Sequence, residues 1–149
     1  MKQTTLCYPI REGNVLLAMK KRGFGEGKWN GPGGKLQEGE TIEQACCRET
    51  HEEIGVSIIT LEDRGVVRFV FEGKPTWDNE CHIYVATEIR GEPVESEEMK
   101  PAWYPIDEIP LQDMWEDDSV WLKDVLAGGS VNATFFFDSN GKMTGYDIS

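Results

Sequence analysis

Apolar positions fall in short alternating runs over most of this chain and follow a helical period in only two places. Residues 6–10 and 15–19 read as strands joined by the turn Arg11-Glu12-Gly13-Asn14. Further β-type runs cover 56–61, 65–72 and 81–88, and a short strand at 102–106 precedes a turn around Asp107 to Pro110. Residues 134–137 and 143–148 flank Ser139-Asn140-Gly141, an Asn-Gly hairpin signal. The helical period appears between Thr41 and Gly55 and again over 119–126, where Val120, Trp121, Leu122 and Val125 are expected to face inward. Residues 23–34 are rich in glycine but carry Phe24 and Trp29, which suits a shaped loop. Strands outnumber helices and the helices are far apart in sequence, so the pattern predicts a mixed α/β sandwich with two main helices.

The first helix carries the chemistry. Thr41 followed by Gln44 fits a capping box, and Gly55 is a natural stop after Ile54. Cys46, Cys47, Thr50 and Ile54 share an edge that can bury, with the threonine able to bond back to the Cys46 carbonyl. Beside that edge stand Glu49, Glu52 and Glu53. At about 100° per residue, Glu52 and Glu53 lie roughly 60° to one side of Glu49 and 40° to the other. Like charges one turn apart repel, so three on one face beside a glycine-rich loop suit a hard divalent cation such as Mg²⁺ or Mn²⁺. Arg48 is placed to hold a carboxylate by a charge-assisted hydrogen bond. Taken alone, the run Glu49-Thr50-His51-Glu52-Glu53 reads more readily as a solvated acidic helix than as a metal site.

Composition narrows the classes. At 149 residues the chain is expected to form one domain, and 28% charged with 39% hydrophobic residues suits a soluble globular protein. No run approaches 18 apolar residues and no signal pattern opens the chain, so a cytoplasmic protein without membrane association is expected. A net charge of −12 argues against a nucleic-acid polymer as partner, while leaving room for a small phosphorylated ligand held by metal and by Lys20-Lys21-Arg22. That basic run also reads as a solvated strand end. Cys7, Cys46, Cys47 and Cys81 form no metal-like spacing with His51 or His82 and are expected to be reduced and mostly buried.

The run from Gly34 through Glu40 and Arg48-Glu49 to Glu52-Glu53 and Gly55-Val56 has the spacing G-x5-E-x7-R-E-U-x-E-E-x-G-U. It resembles the Nudix box. Every charged and glycine position is present, and only Thr50 departs, standing where an aliphatic residue is usual. The resemblance implies an α/β/α sandwich around mixed sheets and hydrolysis of a nucleoside diphosphate linked to another group. Three further stretches, Lys20 to Gly31, Pro93 to Met99 and Asp113 to Ser119, resemble the branch of that family acting on oxidised purine nucleoside triphosphates.

The resemblance implies roles. Mg²⁺, or Mn²⁺, would sit on Glu49, Glu52 and Glu53, with help from Glu98 and the Gly33 carbonyl. Glu53 would be the general base, with Glu49 as runner-up. Lys20 and Lys35 would stabilise phosphate charge, and Thr5 and Lys20 would line the nucleotide pocket. On their own chemistry, Asn30 offers a purine edge both a donor and an acceptor, and Phe24 and Trp115 offer stacking faces. Adjacent Asp117 and Asp118 raise the chance that one keeps its proton and donates to the base. The same two residues could instead cap the helix that follows. Trp103 and Trp121 are expected in the core. The rival functions are another Nudix activity, on ordinary nucleoside triphosphates, dinucleoside polyphosphates or ADP-ribose, and a non-catalytic nucleotide-binding module. A monomer or weak dimer is expected.

Overall fold

The computed structural model describes Met1–Ser149. Its strands are β1 (Lys2–Arg11), β2 (Asn14–Lys20), β3 (Trp29–Asn30), β4 (Ser57–Phe71), β5 (Asn79–Arg90), β6 (Met99–Pro105), β7 (Val131–Phe137) and β8 (Met143–Ile148). The helices are α1 (Ile42–Ile54) and α2 (Asp118–Leu126). The sheet runs β3-β2-β1-β5-β4-β7-β8, with β6 along β2. Two of its pairings are parallel, β1 with β5 and β4 with β7, and the others are antiparallel.

Alternation along β1 decides what each face meets. Cys7 points to one side, where it packs with Cys46 of α1 and with Tyr84 and Ala86. Tyr8 points to the other, into a core it shares with Ile83, Val85, Phe135 and the α2 residues Trp121, Leu122, Val125 and Leu126. The two helices therefore lie on opposite faces, the expected α/β/α sandwich. The end of α1 is fastened separately, through Ile54 and Val56 against Leu16 and Ala18 of β2.

The structure departs from the sequence pattern in several places. The runs 56–61 and 65–72 are one continuous strand, because Glu62-Asp63-Arg64 stays in the ladder through register shifts instead of breaking it. The glycine-rich loop contains the short β3, paired to Ala18 and Met19. The last hairpin begins at Val131, and β1 and β6 are longer than their apolar centres. In α1 the buried edge is Ala45, Cys46, Thr50 and Ile54, with Cys47 only half-buried. Trp121 is in the core, whereas Trp103 is half-buried, with the Arg11 guanidinium 5.3 Å above its ring. All four cysteines are free thiols.

Gly65 makes the long strand possible. Its φ is +110°, its N–H donates to Asp63 Oδ1 at 2.8 Å, and a Cβ there would lie 1.8 Å from the Val131 carbonyl oxygen. Beyond it β4 pairs with β5 and β7 together, which sets Phe69 opposite Asn79 and Phe135. Gly65→Ala should therefore destabilise by about 3 kcal/mol or more, a fall of roughly 10 °C in Tm. Gly73→Ala has a positive φ but open space, and should cost only about 1 kcal/mol. Thermal unfolding of both variants checks this; equal losses would show that the approach to Val131 constrains nothing.

Candidate active site

The local signals around α1 are realised. Thr41 Oγ1 accepts from the Gln44 N–H at 3.1 Å, and the Gln44 side chain accepts from the Thr41 N–H at 2.9 Å. Gly55 closes the helix with φ of 76°. Thr50 donates to the Cys46 carbonyl at 2.8 Å, which satisfies its buried hydroxyl. Arg48 holds more than one carboxylate: it donates to Glu40 at 2.6 Å, Glu49 at 2.8 Å and Glu52 at 3.1 Å, and to the Lys35 carbonyl at 3.1 Å. The guanidinium holds the Glu40 carboxyl below its ordinary range.

The glycine segment before the helix lies flat on β1. The Thr5 N–H donates to the Gly34 carbonyl at 2.9 Å and the Cys7 N–H to the Pro32 carbonyl at 2.8 Å. A Cβ on Gly33 would stand 1.8 Å from the Thr5 carbonyl oxygen, and one on Gly31 would stand 2.4 Å from that of Cys7. A Cβ on Gly34 would stand 2.5 Å from the Glu49 carboxyl carbon. Glycine is therefore required both for docking on the strand and for receiving the carboxylate. The Gly33 N–H donates to Glu53 Oε1 at 3.1 Å. Burial pushes the Glu53 carboxyl up to about 7; the Gly33 hydrogen bond opposes this and the charge of Glu49 adds to it.

From Gly33, Gly34 and Glu53 a cavity of about 400 Å³ runs inward, with Asp117 and Asp118 in its wall. Both aspartates are 2% exposed. Neither caps α2. Asp117 instead accepts from Trp121 Nε1 at 2.9 Å, and Asp118 Oδ2 has no partner. Burial lifts the Asp117 carboxyl to about 6, and lifts Asp118 well above the ordinary carboxylate range, the negative charge of Asp117 adding to it. The arrangement favours a protonated Asp118 beside an Asp117 carboxylate. Asn30 stands in the same cavity with its carbonyl oxygen already taken, by Tyr8 Oη at 3.2 Å and the Gly31 N–H at 2.9 Å. It therefore presents only amide N–H donors, where the sequence suggested both roles. Thr5 Oγ1 is buried and without a partner.

Thr5, Lys20, Phe24, Asn30, Gly33, Glu53, Trp115, Asp117 and Asp118 are thus brought together around one cavity. Phe24 and Trp115 are stacked, with centroids 5.3 Å apart. Lys35 is exposed and outside the cavity wall, where it bridges to Thr4 through its backbone. Glu98 is also outside: it is exposed and paired with Arg22, accepting from Nε at 2.9 Å. Among the residues missed from sequence are Phe69, Phe71, Asn79, Cys81 and Phe137, which also line the cavity. Their alternation along β4, β5 and β7 was visible. What they face is set by pairings between strands distant in sequence.

The donors suit a divalent cation in type. Glu49 and Glu53 both lie against Gly33-Gly34, with Glu52 on the same helical face, and all offer hard oxygens. No three His, Cys, Asp or Glu side chains converge into a ready cage, since Arg48 engages Glu49 and Glu52.

The aspartate pair has a consequence for stability. The folded pKa of Asp117, about 6, lies above its ordinary 3.8, so proton binding favours the folded state. That stabilisation is full below about pH 4, falls as pH rises and is gone above about pH 6. Asp117→Asn keeps an acceptor for Trp121 but cannot titrate. Its Tm relative to the wild type should therefore rise by roughly 5 °C between pH 4 and pH 7.5. A difference that stays constant across that range, measured by calorimetry, would show that Asp117 is not the titrating group.

Comparison with known proteins places this geometry. The NUDIX domain model matches residues 2–125. The chain is 44% identical over 144 residues to the oxidized purine nucleoside triphosphate hydrolase of Mus musculus, covering 97% of this chain and 92% of that one. It is 52% identical over 121 residues to the protein of the same name from Danio rerio, covering 81% and 77%. The crystal structure of the MutT protein from Bacillus halodurans superposes with a TM-score of 0.89 at 30% identity, covering 100% of this chain and 98% of that one. The chain belongs to the Nudix family and is a hydrolase.

Proposed function

We propose that this enzyme hydrolyses oxidised purine nucleoside triphosphates, of the 8-oxo-dGTP and 2-hydroxy-dATP type, to the monophosphate and pyrophosphate, within a single domain spanning residues 1–149. The observation that carries this reading is the buried Asp117–Asp118 pair, which shares one aromatic-walled cavity with Asn30 and Glu53. An oxidised purine differs from its parent in what its edge donates and accepts. A neutral acid beside a carboxylate offers one donor and one acceptor to that edge, and the free Asn30 amide adds donors. The names of the mouse and zebrafish relatives agree with this substrate class.

Glu49, Glu52, Glu53 and the Gly33 carbonyl would hold Mg²⁺ or Mn²⁺. When bound, such a cation neutralises triphosphate charge and lowers the pKa of a water molecule. Glu98 would join them by leaving its exposed ion pair with Arg22, a weak competitor for a divalent cation. Glu53, buried and oriented by the Gly33 N–H, takes the proton as water adds to phosphorus and one P–O bond of the α–β bridge breaks. Glu49 is the runner-up for that role. Lys20, in the cavity wall, stabilises charge on the phosphates. Lys35 lies outside the wall and would contribute only at the triphosphate's outer end. Trp115 and Phe24 supply stacking for the base, roughly 1–3 kcal/mol per base.

Steady-state hydrolysis of 8-oxo-dGTP, 2-hydroxy-dATP and dGTP side by side in Mg²⁺ should show strong preference for an oxidised purine, with pyrophosphate released. Equal or negligible rates would remove the substrate assignment. Glu53→Gln should lower kcat by about 10²–10⁴-fold with only a modest change in nucleotide affinity, the range for a lost general base. A near-wild-type rate in that variant would move the role elsewhere.

A further inference from the structure

Trp77 is an exposed tryptophan that is nonetheless held on several sides. It ends a short 3₁₀ turn, Pro75–Trp77, between β4 and β5, and is 39% exposed. Lys74 Nζ lies 4.0 Å from its ring centroid. Phe71 meets it edge-on at 5.7 Å, and Phe24 meets it at 5.5 Å with a 60° tilt. Its carbonyl accepts from Asn79 Nδ2 at 3.2 Å, and Asn79 Oδ1 in turn accepts from Thr4 Oγ1 at 2.9 Å. A solvent-facing indole fixed by this many partners is placed, not merely tolerated.

The partners show what the placement achieves. Phe71 and Phe24 both line the cavity, but they come from different elements. Phe71 is on β4 and stacks on Phe137, centroids 5.0 Å apart. Phe24 is on the loop between β2 and β3 and stacks on Trp115. Trp77 joins the two stacks, giving an unbroken run of rings from Phe137 through Phe71, Trp77 and Phe24 to Trp115. Phe24 itself is 63% exposed and sits between Gly23 and Gly25, both with φ near +85°. Its aromatic contacts are with Trp115 and Trp77 alone.

We propose that Trp77 is a positioning residue for substrate recognition, fixing Phe24 over the rim of the cavity so that the purine meets a preformed aromatic wall. The proposal rests on the reading that the cavity takes a purine base. It gives Trp77 no part in the chemical step. Its effect passes through Phe24, so the two residues should act as one unit in binding.

The test is a double-mutant cycle with Trp77→Ala, Phe24→Ala and the double variant, each assayed with the purine nucleotide that the wild-type enzyme hydrolyses fastest. Choosing the substrate in this way keeps the test intact if the oxidised-purine assignment fails. Trp77→Ala should raise KM about three- to tenfold, the scale of one aromatic pair, with kcat within about twofold. The double variant should be no worse than Phe24→Ala alone. Trp77→Phe should restore most of the lost affinity. Additive losses in the cycle, an unchanged KM, or a fall in kcat without a change in KM would each overturn the proposal. Unfolding of the three variants within a few degrees of wild type separates these outcomes from a general loss of structure.

Discussion

The contact between residues 31–34 and β1 is the constraint on which the site depends. Two main-chain hydrogen bonds, from Thr5 to Gly34 and from Cys7 to Pro32, hold the segment against the strand. They form only because Gly31 and Gly33 present no Cβ to the Cys7 and Thr5 carbonyls. From that docking follow the orientation of the Gly33 N–H toward Glu53 and the space at Gly34 that Glu49 occupies. Thr5 and Leu6 on one side of the contact and Gly33 and Gly34 on the other then line the same cavity. The Glu53 end of the cavity is therefore positioned by one strand.

Arg48 balances the electrostatics that this docking creates. Three carboxylates on one helical face and a fourth from Glu40 would repel strongly if left unpaired. A guanidinium has donors enough to satisfy several of them at once, with geometry a lysine cannot reproduce. Arg48 spends its donors on Glu40, Glu49, Glu52 and the Lys35 carbonyl, and leaves Glu53 to the Gly33 N–H. The division distinguishes the carboxylates chemically. Glu49 keeps a neighbouring cation, whereas Glu53 is desolvated and its pKa is driven up to about 7.

What was legible in the sequence is what rests on local geometry. The capping box at Thr41, the stop at Gly55, the Thr50 back-bond and the shared face of Glu49, Glu52 and Glu53 all depend on residues within a few positions of one another. The resemblance carried the reading further, to Asn30, Asp117 and Asp118, which do converge. It did not foresee that Glu98 would be held by Arg22 or that Asn30 would have its oxygen occupied by Tyr8 and Gly31. Those depend on which side chains compete for a partner once the fold is complete. The wall formed by Phe69, Phe71, Asn79, Cys81 and Phe137 was not legible for a different reason. It requires β4 to lie antiparallel to β5 and, from far along the chain, parallel to β7 in one register, with the Gly65 bulge setting which face is presented.

The buried aspartates are an unfavourable arrangement that the proposed function would turn into selectivity. Two adjacent carboxyls shielded from water destabilise the ionised state, and an unpartnered acid oxygen adds to that cost. The fold meets part of it through the Trp121 indole N–H and leaves the rest unmet at Asp118 Oδ2 and Thr5 Oγ1. A site with polar atoms left unpaired discriminates more sharply than an apolar one, because a ligand lacking the complementary group leaves the deficit in place. The aromatic rings around these atoms are tolerant of any flat base. In the proposed function, discrimination falls to a small set of buried donors and acceptors, and binding area to Phe24 and Trp115. That separation would let one cavity combine affinity for purines in general with selectivity for those whose edges complete the hydrogen bonds.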